Sequence, residues 1–256
     1  MISNNGIKKT PEYVDKVRNA KRPETVKEMR RFLGLVNFQR KFVPNCSLMT
    51  KCLSNWTVGN KSKKVVWTEE MEARFQELKE EIAKDVMLAY PDYSKTARKI
   101  ELYVDASETG CGACLMQMQG DKKQVIAYNS MTFSVTQARY STTDRELTAI
   151  RWGINTFRGF LAGASFILYT DHNPLVFLHN MSAVNSRIMR TLMELAEFDF
   201  EVRYRPGTSN EAADFLSRLS EPKKEEIEGI DAKFLPKELK MICEVSGGGD
   251  STMEAW

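Results

Sequence analysis

Apolar and polar residues alternate along several short runs of the chain from residue 100 onwards. Ile100, Leu102 and Val104 form one apolar face of a predicted strand, and strand-like runs follow at 111–118 and 124–131. Short turns separate these runs, which predicts an antiparallel meander. Two later apolar runs, SFILYT and DFEVRYR, predict a fourth and a fifth strand.

Helical periodicity appears between and after these strands. In TTDRELTAIRWGINTFRGFL, apolar residues and one carboxylate recur on a single helical stripe, which should face the sheet. The stripe comprises Glu146, Ile150, Ile154, Phe157 and Leu161. Further helices are predicted in NPLVFLHN, SRIMRTLMELAEF and NEAADFLSRL. The order β-β-β-α-β-α-α-β-α predicts an α/β (α+β) domain.

The first part of the chain has a helical pattern without strands. Residues 25–42 predict one helix, and TEEMEARFQELKEEIAKD predicts a second with Thr68 as its N-cap. The stretch PNCSLMTKCLSNWTVGNKSKK between them is rich in turn residues and predicts irregular structure. We therefore expect a small helical module at 1–94, the α/β domain at 95–220, and a charged, glycine-containing, mostly disordered tail at 221–256.

The composition is that of a globular intracellular protein. Of 256 residues, 42% are hydrophobic and 28% are charged, and no run of about 18 apolar residues predicts a membrane span. Five cysteines, an odd number, favour free thiols in a reducing compartment. Cys111 and Cys114 form a C-x-x-C motif inside an apolar strand, which favours buried thiols over a zinc site.

Charge is distributed unevenly along the chain. Residues 1–64 hold 15 Lys and Arg against 4 Asp and Glu, a net of +11, and the remainder holds 22 against 30, a net of −8. A basic segment of this kind is typical of a surface that meets nucleic acid or an acidic membrane, or of a solvated helix face.

Four carboxylates occupy positions next to apolar residues. They are Asp105, Glu146, Asp171 and Asp214. Taken separately, they could start a turn, pair with an arginine such as Arg151, end a strand and lie on a solvated helix face, respectively. Brought together they would repel one another unless a divalent cation neutralised them, and a set of oxygen ligands suits Mg²⁺ or Mn²⁺. Such a cluster is typical of two-metal phosphoryl transfer.

The predicted elements carry four distinctive blocks: YVDASETGCGACLMQ, YSTTDRELTAIRWGINTFRGFLAG, FILYTDHNPL and RYRPGTSNEAADFLSRL. In order and spacing these blocks resemble the ribonuclease H domain of gypsy-type LTR retrotransposon Pol polyproteins. Upstream, residues 25–55 and 65–82 look like the thumb and connection region of the same polyproteins. The resemblance covers roughly residues 6–219. The polymerase palm is absent from it, since YVDA at 103–106 lacks the second aspartate of Y-x-D-D.

The resemblance implies a ribonuclease H-like fold, a five-stranded mixed sheet flanked by helices, preceded by a helical thumb/connection module. It implies an endonuclease that hydrolyses the RNA strand of an RNA–DNA hybrid, with two Mg²⁺ ions, replaceable by Mn²⁺, held by Asp105, Glu146, Asp171 and Asp214. Asn210 is the candidate for 2′-hydroxyl recognition. Phosphate contacts are expected from Arg187, Arg190 and Arg205.

Two other functions fit parts of this pattern. An integrase or transposase uses a similar sheet, but its carboxylates run Asp, Asp, Glu, whereas Glu146 here precedes the second aspartate. A catalytically silent nucleic-acid-binding or scaffold remnant of a reverse transcriptase would keep the same residues. The expected partners are a hybrid duplex and a polymerase-containing chain of the same element. The expected location is the cytoplasm, a virus-like particle or the nucleus.

Overall fold

The computed structural model describes residues 1–58, 64–170 and 186–204, with the backbone alone at 186–188 and 204. The helices predicted in NPLVFLHN and NEAADFLSRL and the tail at 221–256 lie outside the described residues, so these expectations stay predictions.

A five-stranded mixed sheet forms the centre of the second part of the chain. Its strands are β4 (Ile100–Ala106), β5 (Gly110–Gln119), β6 (Lys122–Thr132), β7 (Phe166–Thr170) and β8 (Phe200–Tyr204). Their spatial order is β6-β5-β4-β7-β8. The first three strands pair antiparallel, as the meander predicted, and β7 and β8 are parallel to β4. The predicted fold class, an RNase H-like α/β domain, is confirmed.

Helix α6 (Thr142–Thr156) packs against the middle of this sheet. Gly153 permits the close approach, because a Cβ atom there would lie 2.9 Å from Cγ2 of Val104 on β4. All five residues of the predicted stripe are buried. The helix that the sequence predicts to continue to Leu161 breaks at Phe157, and α7 (Arg158–Leu161) follows. The burial of Phe157 and Leu161 survives the break, so periodicity predicted the buried face better than the helix ends.

A last described helix, α8 (Ser186–Leu195), packs beside α6 and contributes Leu192 and Leu195 to the same core. The short α5 (Val135–Ala138) follows β6.

The first part of the chain is a bundle of four helices with its own core. The helices are α1 (Pro11–Arg18), α2 (Val26–Phe38), α3 (Cys46–Asn55) and α4 (Glu69–Ala83). Thr25 and Glu28 form a capping box at the start of α2, and the side chain of Thr68 caps α4 as predicted. Buried apolar side chains from all four helices meet in one cluster.

Two sequence predictions for this bundle were wrong. The stretch expected to be irregular contains α3, because Cys46, Met49 and Leu53 lie on one face and bury against α2 and α4. Turn residues at its start hid this periodicity. The helix expected over 25–42 ends at Phe38, and a 3₁₀ turn (Arg40–Phe42) follows.

A small three-stranded sheet was not predicted at all. It contains β1 (Ile2–Ser3), β2 (Gly6–Lys8) and β3 (Met87–Leu88), in that order. Strands of two or three residues are too short to show an alternating pattern, and β3 comes from a distant part of the chain. Gly6 has φ 142°, and a Cβ atom there would lie 2.3 Å from the carbonyl oxygen of Leu88. Among the described residues, no helix is long and apolar enough to cross a bilayer.

Candidate active site

Glu146 lies on the first half of α6 with its side chain turned toward the sheet. It is 4% exposed, although most buried positions around it are apolar. A carboxylate in such surroundings loses hydration, which costs free energy unless a cation or donors compensate it. The structure therefore places this carboxylate where the sequence predicted, in the interior and against the sheet.

Asp105 lies at the end of β4, half-buried. Its neighbours Val104 and Ala106 pack toward α6, so the strand alternation places Asp105 on the other face of β4, in register with Gly112 on β5. The turn that follows has another side-chain acceptor: Ser107 Oγ accepts hydrogen bonds from the backbone N–H groups of Thr109 and Gly110, both at 3.2 Å. The two carboxylates thus approach this end of the sheet from its two faces.

The charges of both carboxylates influence the pKa of the Cys111 thiol. Burial raises the pKa of its thiol, and the negative charges of Glu146 and then Asp105 raise that pKa further. Cys111 at the start of β5 is the register partner of Ala106 at the end of β4. Both carboxylates therefore lie within electrostatic range of the turn that joins β4 to β5. Negative charge is therefore concentrated at this edge.

Arg151 does not serve as the partner of Glu146. Its guanidinium donates to Glu194 on α8, with Nε–Oε2 at 2.5 Å and Nη2–Oε1 at 2.8 Å. The example given for an arginine partner of Glu146, Arg151, is therefore wrong. The reason is geometric: Arg151 is exposed on the side of α6 that faces α8, whereas Glu146 faces the sheet.

The other two predicted ligands, Asp171 and Asp214, lie outside the described residues. β7, the parallel neighbour of β4, ends at Thr170 at the same edge of the sheet as Asp105, and Asp171 is the next residue in the chain. In the described part of the chain, no three His, Cys, Asp or Glu side chains come together as a metal-binding group. The oxygen donors that are described, Asp105 and Glu146, fit Mg²⁺ or Mn²⁺ in their chemistry.

The predicted nucleic-acid contacts are only partly described. Arg190 is exposed on α8, and Arg187 lies on the same helix with its backbone alone described. Arg205 and Asn210 lie outside the described residues. These four assignments stay predictions.

Within the basic segment that the sequence predicted, α2 carries an exposed stripe whose glycine and aromatic residue were not predicted. Lys27, Arg31, Gly34 and Phe38 are spaced at i, i+4, i+7 and i+11, and all four are exposed. The Phe38 side chain is 77% exposed, and a Cβ atom at Gly34 would meet nothing within 4 Å. The signal was present in the sequence, because an aromatic residue and a glycine lie on the polar face of the helix rather than on its apolar face.

The C-x-x-C motif is not a metal site. Cys111 belongs to the core under α6, whereas Cys114 belongs to the cluster on the opposite face of the sheet with Tyr103, Met116 and Tyr128. Two cysteines three residues apart on a strand point to opposite faces. Burial raises the pKa of Cys114 as well, so the predicted buried thiols are confirmed.

Comparison with known proteins agrees with this architecture. Residues 95–198 match the family described as the RNase H-like domain found in reverse transcriptase. The Retrovirus-related Pol polyprotein from transposon 412 of Drosophila melanogaster is 33% identical over 224 residues, 88% of this chain and 18% of the relative. The Transposon Tf2-3 polyprotein of Schizosaccharomyces pombe is 35% identical over 223 residues, 85% of this chain and 16% of the relative. The chain spans less than a fifth of the length of either.

Solved structures share the fold. The foamy viral protease-reverse transcriptase dRH in complex with double-stranded DNA aligns with a TM-score of 0.69 and 22% identity, over 82% of this chain and 37% of that one. The same kind of protein in complex with an RNA/DNA hybrid aligns with a TM-score of 0.67 and 22% identity, over 92% and 31%.

Fold, site and comparisons together define an RNase H-like domain of the class found in reverse transcriptases. Over most of its length the chain is similar to the Pol polyproteins of LTR retrotransposons, and the predicted resemblance is confirmed.

Proposed function

We propose that this chain is a retroelement ribonuclease H that hydrolyses the RNA strand of RNA–DNA hybrids in a metal-dependent reaction. One observation carries the proposal: Glu146 is buried on the helix that packs against β4, and Asp105 is half-buried at the end of β4, beside the end of β7 that precedes Asp171. Carboxylates concentrated in this way are costly unless they bind cations.

Asp105, Glu146, Asp171 and Asp214 would hold two Mg²⁺ ions, or Mn²⁺ in their place. When bound, such ions stabilise the charge that develops on the attacking and leaving oxygens of a phosphodiester. The chain's own contribution is to hold the ligands in place. Glu146 is fixed by its position in α6, which packs closely against β4 at Gly153. Asp105 is fixed by its pairing with Gly112 on β5.

Substrate binding is assigned to the basic stripe on α2 together with the arginines of α8. Lys27 and Arg31 would contact phosphates, and Gly34 leaves room for the backbone or groove of a duplex to approach. Phe38 offers an exposed aromatic surface for packing against sugars or bases. The solved relatives in complex with double-stranded DNA and with an RNA/DNA hybrid support a duplex as the ligand. A polymerase-containing chain of the same element is the proposed protein partner, in the cytoplasm, a virus-like particle or the nucleus.

A cleavage assay tests the proposal. The purified chain is incubated with an RNA–DNA hybrid labelled on the RNA strand, with Mg²⁺, with Mn²⁺ and with chelator. We expect cleavage of the RNA only with a metal, and no cleavage of the same RNA alone or of the matching DNA duplex. Hybrid binding without any cleavage would instead support a non-catalytic, nucleic-acid-binding remnant.

A further inference from the structure

The helical bundle and the sheet are joined by a dense set of hydrogen bonds around Ser130 on β6. The backbone N–H of Ser47 donates to Ser130 Oγ at 2.8 Å, and Ser47 Oγ donates to the Ser130 carbonyl at 2.7 Å. Arg40 Nη2 donates to the same carbonyl at 2.6 Å. Ser130 is 1% exposed, so water does not compete for these bonds and they favour one orientation of the bundle.

Two glycines on β5 let the start of α3 reach the sheet. A Cβ atom at Gly112 would lie 2.7 Å from Oδ1 of Asn45, and a Cβ atom at Gly110 would lie 2.8 Å from Cδ2 of Leu48. Asn45 precedes α3 and has φ 50°, a left-handed backbone that asparagine tolerates better than most residues. The side-chain oxygen of Asn45 thereby lies next to Gly112.

This contact is next to the candidate active site. Gly112 is the register partner of Asp105, and the two positions share one face of the sheet. Asn45 therefore packs against the strand position beside a proposed metal ligand. The bundle in turn carries the exposed stripe of α2, to which substrate binding is assigned.

We propose that Asn45 is a positioning residue, which through its packing on Gly112 fixes the bundle relative to the Asp105–Glu146 edge and so determines which phosphodiester of a bound hybrid is cut. The inference rests on the proposed function. If the bundle is held in one orientation, a hybrid gripped by α2 reaches the carboxylates in one register, and cleavage falls at few positions from a fixed hybrid end.

The test uses Gly112→Val, Asn45→Gly and the double variant in the full chain. Valine at position 112 would occupy the space of the Asn45 amide and displace it. Asn45→Gly removes that amide and suits the left-handed backbone, so the double variant restores room for the valine. Two measurements are made on each protein: hydrogen exchange of the Ser47 amide, and the distribution of cuts along a labelled hybrid with one fixed end.

We expect Gly112→Val to raise the exchange rate of the Ser47 amide at least about tenfold and to broaden the distribution of cuts, and the double variant to reverse both changes. An unchanged Ser47 exchange rate in Gly112→Val would overturn the docking role. Faster exchange with an unchanged distribution of cuts would overturn the positioning role. Normal exchange behaviour together with no cleavage by the wild type would count against the proposed nuclease, because exchange reports docking without requiring activity.

Discussion

Arg151 on α6 donates two hydrogen bonds to Glu194 on α8, 2.5 and 2.8 Å long. This ion pair lies on the side of α6 that faces α8, whereas Glu146 lies on the side that faces the sheet. The guanidinium lowers the pKa of the Glu194 carboxyl, mainly through the hydrogen bond. One side of α6 therefore makes the contact with α8, and another side carries the candidate site residue.

Removal of this ion pair should affect stability slightly and cleavage not at all. Both side chains are largely in contact with solvent, at 47% and 42% exposure, and exposed pairs contribute less than about 1 kcal/mol. We expect Glu194→Gln to lower the free energy of unfolding by less than that amount in denaturant titrations. A large loss of hybrid cleavage in a stably folded Glu194→Gln protein would show that the pair supports the site after all.

Removal of either described carboxylate should slow cleavage severely. Loss of a metal ligand forfeits several kcal/mol of transition-state stabilisation, so Asp105→Asn and Glu146→Gln should each slow cleavage of a hybrid by about a thousandfold. The matched control is Asp121→Asn, which makes the same charge change in the exposed turn at the opposite end of β5. Wild-type rates in both site variants would refute the assignment.

Metal binding should also be visible without any substrate. Glu146 is a buried carboxylate whose charge has lost hydration, so Glu146→Gln should raise the melting temperature in chelator or leave it unchanged. Mg²⁺ at about 100 times its dissociation constant should stabilise the wild type by about 2.7 kcal/mol and Glu146→Gln much less. Differential scanning calorimetry with and without Mg²⁺ measures both effects. Equal stabilisation of the two proteins by Mg²⁺ would place the ion elsewhere.

The stripe on α2 makes separable predictions about binding. Lys27→Gln and Arg31→Gln should each lower the slope of log affinity against log salt concentration by about one, since each removes one phosphate contact. Phe38→Ala should weaken binding by about 1–3 kcal/mol with an unchanged slope, because stacking releases no counterions. Fluorescence anisotropy in chelator measures both quantities. Val135→Ala, at another exposed apolar site, is the control and should leave the affinity unchanged. Unaltered affinity in Phe38→Ala would remove α2 from the interface.

Buried thiols should make stability fall at alkaline pH. Burial raises the pKa of Cys46 from its ordinary value of 9.0 to about 11, and the nearby Arg40 opposes this. The folded state therefore binds the thiol proton more tightly than the unfolded state, so stability is complete below pH 9 and declines as pH rises from about 9 to about 11. The decline attributable to Cys46 at pH 10.5 should be about 2 kcal/mol. Denaturant titrations at pH 7.5 and 10.5 should show a smaller decline in Cys46→Ala. The same decline in both proteins would contradict this account.

Local patterning determined most of the α/β domain. Alternation over β4, β5 and β6 and the helical stripe of α6 are properties of five to fifteen consecutive residues, and burial of each stripe against a single sheet leaves few other arrangements. Glu146 was predictable for the same reason, since its position in the stripe is read directly from the spacing. Element ends were less predictable, as the breaks after Phe38 and Phe157 show, because helix ends depend on what the next residues meet.

Only the tertiary structure decided which side chains meet. Arg151 lies five residues after Glu146 on another side of α6, and its pairing with Glu194 depends on α8, 43 residues further along the chain. Helix α3 could be recognised only from its burial against α2 and α4. The contact of Asn45 with Gly112 joins two segments that share no sequence pattern. The periodicity of apolar residues shows which face of a helix or strand is buried. It does not show what that face packs against, because the hydrophobic effect is non-directional. Partner choice and close approach depend on distances between segments that are remote in sequence, which no local pattern contains.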